Sequence, residues 1–170
     1  MNLAMYKKGN TTMNLSKQQI YSIAEGTDQT TELLEYLVET GTDSIDSNFT
    51  TWFEYELNNC TFDEDDEMII ALMAQEDLDY AEAETFIKDE DWLVLTDDEA
   101  EDKWDDNLDN DLDELILSQI PAHLQFYFDS DAWIRDTKIG ADRGNSIATY
   151  DGEELEQEVN DTIYFLYRCN

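Results

Sequence analysis

The chain has 170 residues, enough for one domain or two small ones, and it carries 43 aspartates and glutamates against 9 lysines and arginines. Its net charge of −34 excludes direct binding to nucleic acid and to anionic membranes, which would repel it, and favours basic partners. Because 41% of the residues are hydrophobic and 12% are aromatic, we expect a folded chain with a hydrophobic core rather than disorder.

The first half of the chain, residues 1–90, is predicted to be an acidic helical domain. After an irregular lead-in over residues 1–14, four or five short antiparallel helices follow, one of them opened by a capping box of Thr61 and Glu64. Apolar side chains recur three and four residues apart, as on the buried face of a helix. Those predicted to face the core are Leu33, Leu34, Tyr36, Leu37, Phe49, Trp52, Phe53, Leu57, Met68, Ile69, Leu72, Met73, Tyr80, Ala83, Phe86 and Ile87.

The second half, residues 91–170, is predicted to add strands to helices, which makes the chain an α+β protein with a helical N-terminal half. Apolar runs with β-branched residues predict three strands that form a small antiparallel sheet, at 92–95, 146–150 and 162–168. Between them we expect a long acidic helix, two short helices and an acidic loop, at 96–117, 121–128, 131–139 and 151–161.

The long helix, residues 96–117, carries most of the functional signal. Thr96 and Glu99 predict a capping box at its start. Over residues 97–114, eleven acids meet one cation, Lys103, so about 27 Å of helix carries a net charge of −10. That is about one charge per 2.7 Å, against one per about 1.7 Å of duplex DNA. The residues predicted to face the core are Ala100, Trp104, Leu108, Leu112, Leu115 and Ile116.

Like charges four residues apart, such as Asp98 and Asp102, repeat along this helix, although each pair destabilises a helix by a few tenths of a kcal/mol. The repetition indicates that the charge itself is used. A solvated helix face, salt adaptation and another acidic interaction module are the alternatives. We hypothesise that the chain imitates DNA phosphates toward a DNA-binding protein with a basic groove. The candidate binding residues are Asp97, Asp98, Glu101, Asp102, Asp105, Asp106, Asp109, Asp113, Asp63, Glu64, Asp65, Asp66, Asp89, Glu90 and Asp91.

Motifs for catalysis or cofactor binding are absent from the sequence. The acids do not fit an EF-hand loop, the one histidine, His123, lies in no Cys/His cluster, and neither a phosphate-binding Gly-rich motif nor a serine-nucleophile motif occurs. We therefore expect no enzyme activity, no metal and no cofactor.

Cys60 and Cys169 are expected to be reduced thiols. The lack of a signal sequence or an apolar span predicts a cytoplasmic protein.

Residues 120–136, IPAHLQFYFDSDAWIRD, resemble the C-terminal region of the ArdA antirestriction proteins, a family of similar size and strong acidity. The resemblance is close over these residues and loose over 90–136. The β-rich domain that usually opens the family has no counterpart in the helices predicted for residues 1–90. The matching positions are Pro121, Leu124, Tyr127, Phe128, Asp129, Ala132, Arg135 and Asp136.

ArdA proteins are DNA mimics of phages or mobile elements that form dimers and inhibit Type I restriction–modification enzymes by occupying their DNA groove. The resemblance therefore implies a non-enzymatic inhibitor of bacterial host defence and a homodimer. The target stays open: a CRISPR nuclease, another DNA-binding protein, or a basic protein served by an acidic chaperone-like module are the alternatives. An internal salt bridge that holds the module together is the other interpretation of Arg135 and Asp136.

Overall fold

The computed structural model describes residues 4–8, 11–40, 45–59 and 61–170, and it confirms the predicted α+β class. The strands are β1 (Ala4–Lys8), β2 (Thr11–Leu15), β3 (Trp92–Leu95), β4 (Leu155–Val159) and β5 (Thr162–Arg168). The helices are α1 (Lys17–Gly26), α2 (Thr30–Thr40), α3 (Ile45–Asn58), α4 (Glu64–Gln75), α5 (Tyr80–Lys88), α6 (Asp97–Asp111), α7 (Ala122–Gln125), α8 (Ser130–Gly140) and α9 (Arg143–Ile147). A π-helical turn (Leu112–Ile116) and a 3-10 turn (Leu117–Gln119) follow α6.

Both sheets are antiparallel. β1 and β2 form a hairpin, and in the second sheet β5 lies between β3 and β4. Val94 lies opposite Leu166 across the first of these pairings, and Gln157 lies opposite Tyr164 across the second. Because β3 ends one residue before the cap of α6, this sheet determines where α6 begins.

The larger hydrophobic core contains residues from both sides of residue 90. Trp52 and Leu72 of the helical half are fully buried in it, together with Val94 and Leu166 of the sheet. The core therefore runs without a break across the predicted domain boundary. The division into domains at residue 90 stays a prediction about which segments fold independently.

Two predicted strands, one predicted capping box and the helix predicted at 131–139 are confirmed. The strands predicted at 92–95 and 162–168 are β3 and β5. The carboxylate of Glu99 accepts a hydrogen bond from the Thr96 backbone N–H at 2.8 Å, which completes the predicted capping box at the start of α6. The helix predicted at 131–139 is α8, and Asp129 caps it by accepting from the backbone N–H of Ala132, its third residue, at 3.0 Å.

Two N-terminal predictions are wrong. The predicted lead-in, residues 1–14, contains β1 and most of β2, because Met13 and Leu15 lie on one face of β2 and are buried in the core. Helix α4 is capped by Asp63 rather than by Thr61, two residues earlier. The helix therefore begins two residues later than predicted, and Asp63 has the extended backbone geometry of a cap residue.

Two C-terminal predictions are also wrong. The predicted strand at 146–150 contains the end of α9, because Ile147 and Ala148 are buried side by side rather than alternately. The predicted loop at 151–161 contains β4, in which Val159 and every second residue before it turn toward the core. Acidic side chains at the intervening positions masked this alternation.

Helix α6 does not continue as one α-helix to residue 117. The π-helical turn after Asp111 changes the helical repeat, so Leu112 stays buried while Leu115, predicted to face the core, is 55% exposed. The apolar stripe of the acidic helix therefore ends at residue 112.

Leu34 of α2, also predicted to face the core, is 51% exposed.

The side chains of Leu37 and Phe49, and Cys60 as a whole, lie outside the described part of the chain. Cys169 forms no disulfide with any described residue. In the ranges that the structure describes, no helix combines the length and the apolar character needed to cross a membrane.

Candidate partner-binding surface

Helix α6 is held in place by one buried face. Ala100 is fully buried in a second, smaller core with Ile147 of α9 and Tyr167 of β5, and Leu108 is also buried. Trp104, from the same face, is half-buried against this core. Because the apolar face is turned inward, the acidic side chains of α6 are left on its outer surface.

One side of that outer surface is neutralised within the molecule. Nζ of Lys138, on α8, lies 2.6 Å from Oε1 of Glu101, 2.5 Å from Oδ1 of Asp105 and 5.0 Å from the centroid of the Trp104 ring. Burial disfavours the charged ammonium, but hydrogen bonds to Asp105 and Glu101 outweigh burial and raise the pKa of Lys138. Lys138 therefore stays charged and holds α8 against α6.

Arg143 neutralises the start of the same side. Its guanidinium donates through Nη1 to Oδ1 of Asp97 at 2.9 Å and through Nε to Oε2 of Glu154 at 2.8 Å. Gly144 allows α9 to pack closely against residues 152–154, since a Cβ at residue 144 would lie 2.8 Å from the carbonyl oxygen of Gly152. Three of the candidate acids are thus bound to internal cations, and we call them the paired acids: Asp97, Glu101 and Asp105.

The other side of the outer surface carries the acidic stripe, defined as Asp98, Asp102, Asp106 and Asp109. All four side chains are exposed, and among the described residues their carboxylates have no hydrogen-bond or ion-pair partner. At about 100° per residue they lie within an arc of about 80°, and they span about 16.5 Å of helix axis. This is about one carboxylate per 5.5 Å, against one phosphate per about 3.4 Å along a single DNA strand. Asp113, on the π-helical turn, is exposed as well.

The acids predicted near the start of α4 divide into two kinds. Asp63, Glu64 and Asp65 are exposed, and Asp63 is the cap. Asp66 is half-buried and accepts a hydrogen bond of 2.6 Å from the hydroxyl of Tyr80. Burial, followed by this hydrogen bond, raises the pKa of Tyr80. Asp63 and Asp66 therefore have structural contacts, whereas Glu64 and Asp65 are only exposed to solvent.

The acids after α5 divide in the same way. Asp89 and Glu90 are exposed, whereas Asp91 is half-buried. The backbone carbonyl of Asp91 accepts from the N–H of Cys169 at 2.8 Å, and its carboxylate accepts from Asn170 Nδ2 at 2.8 Å. Asp91 thus anchors the C-terminal residues. Throughout the described ranges, no hydrogen bond or ion pair joins the α4 acids or the α5 acids to α6.

Sequence reasoning missed Lys138 and Arg143. With nine cations among 43 acids, each cation is expected to meet carboxylates, but the sequence does not indicate which ones. Arg135 and Asp136, for which an internal salt bridge is one of the two interpretations, do form a pair, with Nε of Arg135 3.4 Å from Oδ1 of Asp136 and side chains 67% and 71% exposed. A pair this exposed contributes little to stability, so it does not hold the module together.

The chemistry available on this surface is electrostatic. Exposed carboxylates on a rigid helix accept charge-assisted hydrogen bonds from lysine and arginine side chains. Within the part of the chain that the structure describes, no three His, Cys, Asp or Glu side chains are grouped to hold a metal ion.

No protein family, no curated protein and no solved structure gives a match to this chain.

Proposed function

We propose that the protein is a DNA mimic that inhibits a bacterial defence enzyme by occupying its DNA-binding groove. The observation that supports this most directly is the acidic stripe, whose four carboxylates lie on one side of one helix with no cation bound to them in the described structure. Carboxylates held at fixed spacing are available to the lysine and arginine side chains that normally bind phosphates.

The distribution of the cations supports the same proposal. Lys138 and Arg143 reach α6, yet both bind the paired acids and leave the acidic stripe uncovered. The stripe keeps like charges four residues apart, at Asp98 and Asp102 and again at Asp102 and Asp106, each at a cost of a few tenths of a kcal/mol. A helix that retains these repulsions without internal compensation is suited to a partner that supplies the positive charge.

The target that we propose is a Type I restriction–modification enzyme, which would make the protein an antirestriction factor of the phage or mobile-element type. The support for this choice is the ArdA-like pattern over residues 120–136. Such a protein would act in the bacterial cytoplasm. A CRISPR nuclease would present a similar basic groove. An acidic chaperone-like module is less well supported, because its charge would be spread diffusely rather than set in one stripe.

The experiment is a competition between the protein and labelled duplex DNA for a purified Type I restriction–modification enzyme. We expect the protein to displace the DNA and to have no affinity for DNA itself. The stripe variant, Asp98→Asn/Asp102→Asn/Asp106→Asn, should compete poorly. A matched control, Glu25→Gln/Glu32→Gln/Glu35→Gln, changes the net charge equally at exposed positions of α1 and α2 and should compete as the unmodified protein does.

Two results would contradict the proposal. Formation of a ternary complex of enzyme, DNA and protein would show that the DNA groove is not the binding site. Equal weakening by the stripe variant and the control variant would show that net charge alone, rather than the stripe, determines binding.

A further inference from the structure

Beyond α6, the chain continues into a segment without a core of its own, which we call the apolar arm and define as residues 115–139. It contains the 3-10 turn, α7 and most of α8, and no side chain between residues 113 and 143 is buried. Phe126 is 89% exposed and Tyr127 is 80% exposed, with their ring centroids 5.6 Å apart. Grouped large apolar side chains on a surface mark interaction sites.

The apolar arm is held in shape by polar contacts. Nε2 of Gln125 donates to the carbonyl oxygens of Leu117 and Ile120 at 2.8 and 3.1 Å, and Asp129 caps α8. Lys138 fastens α8 to the paired acids of α6. The surface is therefore formed before a partner arrives, which reduces the conformational entropy lost on binding.

The apolar arm also differs in charge from the rest of the chain. Its three aspartates are set against two cations, which gives it a net charge of −1, whereas the whole chain carries −34. These charged residues are Asp129, Asp131, Asp136, Arg135 and Lys138.

Carboxylates border the exposed aromatic residues. An open depression of about 440 Å³ is lined by the aromatic residues 126–128 together with Asp129 and Asp131. The exposed Asp113 and Glu114 lie directly before the arm. An aromatic surface bordered by Asp129 and Asp131 is complementary to a partner surface whose apolar area has basic side chains beside it.

We propose that the apolar arm is a second docking surface for the same defence enzyme and fits an apolar area beside the basic groove that receives the acidic stripe. This inference rests on the proposed function. The π-helical turn joins α6 directly to the arm, and one residue separates Asp113 from Leu115. A partner seated on the stripe therefore has the arm within its reach. A second copy of this chain is a poorer occupant, because each copy carries a net charge of −34 and the two would repel each other.

The two surfaces have different physical roles. Salt screens the charge contacts of the acidic stripe, but it does not weaken the burial of apolar side chains. Phe126 and Tyr127 are the most exposed aromatic pair on the arm, and aromatic anchors commonly dominate the energy of an interface. The arm thus holds the complex as salt rises, mainly by slowing its dissociation.

The test measures association and dissociation rates of the full-length protein on a purified Type I restriction–modification enzyme at low and high salt. The arm variant, Phe126→Ser/Tyr127→Ser, removes only exposed side chains, so it should keep its fold. We expect it to bind at least about tenfold more weakly, through faster dissociation. A matched control, Leu34→Ser/Tyr55→Ser, removes side chains that are 51% and 57% exposed on α2 and α3, and it should bind normally.

The outcomes separate this inference from the proposed function. Normal binding by the arm variant, with loss of binding by the stripe variant, overturns the arm inference and leaves the proposed function standing. Normal binding by the stripe variant overturns the proposed function, and no binding by the unmodified protein overturns both. Sedimentation that shows a dimer converted to a monomer by the arm variant, with unchanged affinity for the enzyme, assigns the arm to a second copy and overturns the inference.

Discussion

The hydroxyl of Tyr164 donates a hydrogen bond of 2.8 Å to Oε2 of Glu67, and both side chains are buried. Asn160 donates to the other carboxylate oxygen of Glu67 at 3.0 Å. Burial, followed by the hydrogen bond to Glu67, raises the pKa of Tyr164, so it stays a neutral donor. This contact joins β5 to α4 and gives a buried carboxylate the donors that it needs.

Removal of this donor should destabilise the protein. Tyr164→Phe leaves one oxygen of the buried Glu67 without its partner, and we expect a loss of about 1–3 kcal/mol in the free energy of unfolding, measured by urea denaturation. Tyr127→Phe, at a side chain that is 80% exposed, should change it by less than about 0.5 kcal/mol. Equal stability of the two variants would mean that water replaces the Tyr164 hydroxyl.

The stripe and the paired acids should respond to neutralisation with opposite signs. The stripe variant removes like charges four residues apart, so the protein should become more stable by a few tenths of a kcal/mol for each repulsion lost. Glu101→Gln/Asp105→Asn instead removes both carboxylate partners of Lys138, and it should cost about 0.5–1 kcal/mol because the pairs are partly exposed. Thermal melts in low-salt buffer measure both effects. A shift of the two melting temperatures in the same direction would contradict the pairing of Lys138 with Glu101 and Asp105.

The end of the buried face of α6 can be located by mutation. Leu108 is 3% exposed, so Leu108→Ala should leave a cavity and cost about 2–5 kcal/mol. Leu115, at 55% exposed, should tolerate alanine with a change below about 0.5 kcal/mol. Similar costs at both positions in urea denaturation would mean that α6 continues regularly through the π-helical turn.

Glu154 should make stability depend on pH. Burial favours its neutral form, but hydrogen bonds from Arg143 and Tyr167 outweigh burial and lower the pKa of Glu154 below its ordinary value of 4.5. Such a carboxylate contributes stability above its unfolded pKa and loses it as the pH falls through the folded pKa. The unmodified protein should therefore exceed Glu154→Gln in stability most near neutral pH, and this difference in stability should shrink below pH 4.5. Thermal melts measure it, and a difference in melting temperature that stays constant across this pH range would contradict a lowered pKa of Glu154.

Salt should separate the protein from DNA in binding to the same enzyme. DNA gains affinity by releasing condensed counterions, so its binding weakens steeply as salt rises. With about one carboxylate per 5.5 Å of helix axis, the acidic stripe condenses fewer ions. We expect a shallower dependence of log Kd on log salt for the protein than for duplex DNA in parallel titrations. An equal or steeper slope would show that charge alone drives binding.

The local elements could be predicted from the sequence where the signal lies within a few residues. Thr96 and Glu99 predict the start of α6, and the run 162–168 predicts β5, because capping and apolar periodicity are short-range properties. β4 escaped prediction because the acidic side chains between its inward residues hid the alternation.

By itself, the sequence determined the class of the fold, the position of the acidic helix and the excess of negative charge. Only the tertiary structure decided which acids are available to a partner. Lys138 and Arg143 are more than 30 residues away from Asp97, Glu101 and Asp105, and their pairing follows from the docking of α8 and α9 on α6. Residue spacing along one helix predicts which carboxylates share a side, but it does not predict which distant cation is folded against them.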